Sequence, residues 1–61
     1  MFMLGDEVIL KETKEVGVIC AIAMEPDCDY IYDVVIDDKK IVHELTENQL
    51  YDYTESWLNL L

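Results

Sequence analysis

Apolar residues recur along this chain with a period of two, and polar or turn-forming residues interrupt them at short intervals. That is the signature of short, half-buried β-strands. After a turn signal at Gly5-Asp6, residues 7–11 put Val8 and Leu10 on one face and Ile9 on the other. Glu12-Thr13-Lys14 reads as a polar turn. Residues 15–24 form the longest apolar segment, in which Val16, Val18, Cys20, Ile22 and Met24 alternate with Gly17, Ile19, Ala21 and Ala23. Small residues on the second face predict a close approach or a bend, where barrel strands carry glycine. Glu25-Pro26-Asp27-Cys28-Asp29 is a loop, since Pro and Asp interrupt strands.

Residues 30–36 are aromatic and β-branched, as strands favour. Tyr30, Tyr32, Val34 and Ile36 share one face; Ile31, Asp33 and Val35 share the other. Asp37-Asp38-Lys39 predicts a hairpin turn into a partner strand over 40–45, with Ile41, His43 and Leu45 opposite Val42 and Glu44. Thr46 with Gln49 matches the capping-box spacing and predicts one helical turn. Residues 50–53 read as a last short strand. Thr54-Glu55-Ser56 precedes an apolar tail. Five short strands and one helical turn before the last strand predict an all-β fold, a small closed barrel, which also removes the exposed edges of so short a sheet.

With 61 residues there is room for one domain, a barrel over about 4–53 and a tail over 54–61. An apolar fraction of 52% argues against disorder in spite of a net charge of −10. No apolar run reaches the length of a membrane span, and the start Met1-Phe2-Met3-Leu4 lacks the basic flank of a signal peptide. A cytoplasmic location is the expectation. Fourteen acidic residues face four lysines, Lys11, Lys14, Lys39 and Lys40, and there is no arginine. Such a chain repels phosphate backbones and anionic membranes, so direct nucleic-acid binding and membrane binding are both disfavoured.

The run Gly5-Asp6-Glu7-Val8 with Leu10, followed by Gly17-Val18-Ile19, resembles the opening of SH3-like barrels of the Tudor and KOW kind. Tyr32-Asp33-Val34-Val35-Ile36 resembles their middle strand, and Glu47-Asn48-Gln49-Leu50 resembles the helical turn before their last strand. The resemblance covers about residues 4–53. It implies a five-stranded SH3-like barrel that binds protein or nucleic acid and catalyses nothing. It is nearly silent on the partner, because this fold hosts many roles. The group includes small phage proteins, which an acidic free-standing module of this length also resembles in composition. Lacking the basic patch of the nucleic-acid binders, this chain inherits the expectation of a protein partner.

Three surfaces are candidates. The carboxylates of Asp27, Asp29, Asp33, Asp37, Asp38, Glu44 and Glu47, joined by Asp52 and Glu55, have the charge to imitate DNA phosphates and dock on a basic groove of a nucleic-acid-handling enzyme. The simpler account of them is a solvated shell that keeps an apolar mini-domain in solution. Tyr30, Tyr32, Tyr51 and Tyr53, with Asp33 nearby, have the chemistry of a cage for methylated Lys or Arg; the simpler account is cross-strand packing. Trp57, Leu58, Leu60 and Leu61 either pack back on the barrel or dock on a second copy or a partner, as in a structural dimer or assembly subunit, and with Phe2 and Leu4 they have the surface of a homodimer contact.

Other chemistry is not supported. Cys20 and Cys28 lack the paired spacing of a zinc site, and His43, the sole histidine, reads as a half-buried strand residue. Cys20 reads as a small core residue. Carboxylates beside Cys28 disfavour a thiolate. The loop at 25–29 is not an EF-hand loop. There is no phosphate-binding glycine loop, and the one serine, Ser56, lies in the tail. No metal, cofactor or catalytic role is expected.

Overall fold

Period-two segments joined by short turns fold back on one another, so neighbours in sequence pair antiparallel. The computed structural model describes residues 1–27 and 29–53. Their elements are β1 (Glu7–Leu10), β2 (Val16–Met24), β3 (Tyr30–Ile36), β4 (Lys40–Thr46), a 3₁₀ turn (Glu47–Gln49) and β5 (Leu50–Asp52). The fold is all-β, a single five-stranded antiparallel sheet in the order β4-β3-β2-β1-β5. The expected barrel closure is not seen among the described residues, because the edge strands β4 and β5 do not pair with each other.

The long strand β2 shares its pairing. Val16 to Val18 lie opposite β1, and from Val18 onward the strand lies opposite β3. The core on the inner side of the sheet consists of Val8, Leu10, Ile19, Tyr32, Val34, Ile36, Leu45 and Leu50, flanked by Phe2, Ile22 and Val42. Burial of each large apolar side chain contributes about 1.5–3 kcal/mol. Gly17 is what lets β2 approach β3 so closely. A Cβ there would meet Val34 Cγ1 at 2.4 Å and the Val35 carbonyl at 2.7 Å.

Two expectations from strict alternation fail, both at β-bulges. In β2 the register shifts between Ile19 and Ala21, so Cys20 is the extra residue. Cys20 is therefore exposed and not a core residue, and Ile22 takes the inward position opposite Tyr32. In β4 the pairs Tyr32↔Leu45 and Val34↔Val42 leave His43 and Glu44 together opposite Asp33. The bulge swaps the faces. Val42 and Leu45 point inward, and His43 is exposed, not half-buried.

The turns follow their sequences. Asp37 and Asp38 both have positive φ, 54° and 56°, and Lys39 N–H donates to the Ile36 carbonyl at 3.1 Å. This is the mirror-image turn that suits the twist of a hairpin. Gln49 closes the predicted capping box, its Oε1 accepting from Thr46 N–H at 2.8 Å.

Candidate functional site

Asp33 sits in the middle of β3, with a bulge on each side of it. Its side chain repairs the backbone that the β4 bulge disturbs: Glu44 N–H donates to Oδ1 at 3.2 Å, and His43 Nδ1 lies 3.1 Å from Oδ2. Glu44 is held at φ 58°, a strained conformation for a residue with a side chain. On the other flank the Cys20 thiol donates to the Asp33 carbonyl at 3.4 Å. The hydrogen bond from His43, and then that from Glu44 N–H, hold the Asp33 carboxyl below the usual carboxylate range. A shallow cleft of about 200 Å³ opens beside it, lined by Ala21, Ala23, Ile31, Glu25, Asp33 and Glu44.

A second polar cluster joins the chain start to the sheet. The Met1 ammonium lies 2.8 Å from Glu47 Oε1. The Tyr32 hydroxyl donates to the same oxygen at 3.2 Å and accepts from Phe2 N–H at 3.1 Å. The ammonium, above all, holds the Glu47 carboxyl below its usual range. Burial, above all, pushes the Tyr32 phenol up. The Phe2 ring meets Tyr32 edge-on, with centroids 5.5 Å apart.

The four tyrosines do not share one face. Tyr32 is fully buried in the core. Tyr30 lies opposite Met24 at the end of the β2–β3 hairpin. Tyr51 points from the opposite, outer face, where the ammonium groups of Lys11 and Lys14 stand 4.7 and 5.5 Å from its ring centroid. Tyr53 follows β5. Trp57, Leu58, Leu60 and Leu61, with Glu55, lie outside the described residues.

Charge is sorted by position along the strands. The β1–β2 turn and the β3–β4 turn are at the same end of the sheet, and Lys40 Nζ bridges them to Glu15 at 3.5 Å. That end holds all four lysines, and Glu12, Glu15, Asp37 and Asp38 balance them one for one. The middle and far end hold Asp6, Glu7, Glu25, Asp27, Asp29, Asp33, Glu44, Glu47 and Asp52 with no lysine among them. Asp29 and Glu47 border one cleft there, of about 300 Å³. Asp37 and Asp38 are thus separated from the other predicted acidic residues. Sequence order did not show this split, because it depends on which turns share an end. At the lysine end, Leu10, Val42 and Leu45 floor an open groove of about 540 Å³ rimmed by Lys11, Lys40, Glu12 and Glu15.

Set against protein-family models, curated proteins and solved structures, the chain matches none. No described helix is long and apolar enough to cross a membrane. No group of three or more His, Cys, Asp or Glu among the described residues is arranged to hold a metal ion.

Proposed function

We propose that this chain is a small protein-binding module of the SH3-like barrel type that docks its lysine-free end on a basic surface, such as the nucleic-acid groove of an enzyme that handles DNA or RNA. The observation that carries this reading is the sorting of charge, since every lysine lies at one end and is neutralised there. The net negative charge of the described residues therefore belongs to the middle and the far end. A one-signed field of that kind draws in a basic partner and speeds encounter. The side chains that meet the partner are Asp27, Asp29, Glu44 and Glu47. Asp33 acts behind them, because both its oxygens are taken up by His43 and Glu44. The strand order and the split pairing of β2, with its bulge at Cys20, suit the SH3-like reading. The chain supplies no catalytic group in this reading, and its working place is the cytoplasm.

Affinity capture from the source cells, repeated at about 0.05 and about 0.5 M salt, tests this. The expected partner is a nucleic-acid enzyme that added DNA or RNA displaces and that high salt releases. Asp27→Lys with Asp29→Lys weakens capture by on the order of tenfold or more. A matched charge reversal at the lysine end, Glu12→Lys with Glu15→Lys, has little effect. Equal loss from both pairs, or capture indifferent to salt, overturns the reading.

A further inference from the structure

β5 runs antiparallel to β1, so the chain leaves β5 at the end where it enters β1. Asp52 lies opposite Val8, and Tyr53 therefore heads toward the arm formed by residues 1–6. A cleft of about 340 Å³ opens at that exit, lined by Met1, Phe2, Glu47, Leu50, Tyr51 and Asp52. The arm itself is apolar and uncovered. Met1, Met3 and Leu4 keep 69, 57 and 65% of their surface exposed, and apolar surface gathered in one place is rarely left idle. Eight residues follow Tyr53, and four of them are large and apolar: Trp57, Leu58, Leu60 and Leu61.

We infer that residues 54–61 fold back on their own chain, that the Trp57 ring occupies this cleft, and that the leucines behind it cover Met3 and Leu4. Length permits it. Four extended residues span up to about 14 Å, and the cleft already borders Asp52, one residue before the exit. Tethering selects this occupant over a second copy. A segment joined through a few residues competes at an effective concentration in the millimolar range, whereas a second copy arrives at its bulk concentration and against a like charge of −10. A cationic partner gains less here than at the other carboxylates, because the Met1 ammonium already pairs with Glu47. The tail suits the site chemically, since Glu55 is its one charged side chain and Phe2 and Leu50 supply apolar walls. Among the described residues the core holds eight buried side chains, few for a domain whose size leaves its stability marginal, and a docked indole enlarges it.

This inference does not depend on the partner proposed above, and the protein alone tests it. Trp57 is the sole tryptophan, so selectively excited fluorescence of the full chain reports on it. The folded protein is expected to emit at shorter wavelength than the denatured one. Acrylamide, a neutral quencher that the chain's charge does not repel, is expected to quench it several-fold less. Neither reading changes between about 1 and about 100 µM, where a tether outcompetes a second copy. Leu4→Asp, at an exposed position, moves the emission toward that of the denatured chain. Ile41→Asp, also exposed but on the opposite edge strand, leaves it unchanged. Trp57→Ala lowers the melting temperature by at least about 4 °C. Should a variant misfold, the wild type still decides the matter, through nuclear Overhauser contacts expected from the indole to Phe2 and Leu50. Denatured-like emission from the folded protein, emission that shifts with concentration, indifference to Leu4→Asp, or indole contacts located elsewhere each overturn the inference.

Discussion

Single residues here do work that their types alone do not reveal. Asp33 is one of fourteen carboxylates, yet it alone among the described residues faces a bulge on both neighbouring strands. Glu47 joins the Met1 ammonium and the buried Tyr32 hydroxyl. Both carboxyls are held below their usual range. A carboxyl depressed in the folded state adds stability that is present above its unfolded value and is lost as pH falls through the folded one. Acid therefore removes both contributions. Glu47→Gln, which cannot titrate, is expected to lower the melting temperature at neutral pH and to flatten its decline between about pH 5 and about pH 2. Parallel decline curves for wild type and variant count against this role for Glu47. None of this was legible in the sequence. Glu47 was visible as part of a helical turn and as one of the acidic candidates, but its partners lie at positions 1 and 32.

The elements were far more legible. Each predicted strand is present, and the 3₁₀ turn sits where Thr46 and Gln49 place it. Alternation, β-branched content and turn residues act locally, so sequence reports them. Faces beyond Cys20 in β2 and beyond His43 in β4 were misread, because one extra residue reverses every side chain after it. Nothing in the residue types marks Cys20 or Glu44 as a bulge. Gly17 is the opposite case. Small residues on that face predicted a close approach, and β3 lies too near for any Cβ. Gly17→Ala is expected to destabilise the fold by about 1–3 kcal/mol through overpacking against Val34. Denaturant unfolding measures this, and a change within error would mean that β3 yields easily.

At the scale of the molecule, the sequence conveyed the amount of charge but not its arrangement. Lys11 and Lys40 are far apart in the chain and rim one groove only because two turns share an end. The carboxylates of Asp37 and Asp38, read at first with the acidic group, belong to the neutral end for the same reason. The pairing register also gathers Ile9, Val16, Val35 and Ile41 on the outer face of the sheet. Ile9 and Val35 each looked like the minor face of its own strand, whereas Val16 and Ile41 were read with the larger apolar face of theirs, and only the pairing brings the four together.

The strand order has a consequence for how the molecule breathes. β2, β3 and β4 form a meander of successive hairpins, and β3 is hydrogen-bonded on both sides. β5 is three residues long and is laddered to β1 alone, bringing together positions near opposite ends of the chain. Detaching it breaks one short ladder and exposes one buried side chain, Leu50. Opening there is therefore local, whereas freeing β3 requires unfolding the sheet. Native-state hydrogen exchange is expected to show the β5 amides exchanging through partial opening, insensitive to low denaturant. The amides of Tyr32 and Val34 should track global stability. Equal protection in both strands would mean that the sheet opens only as one unit.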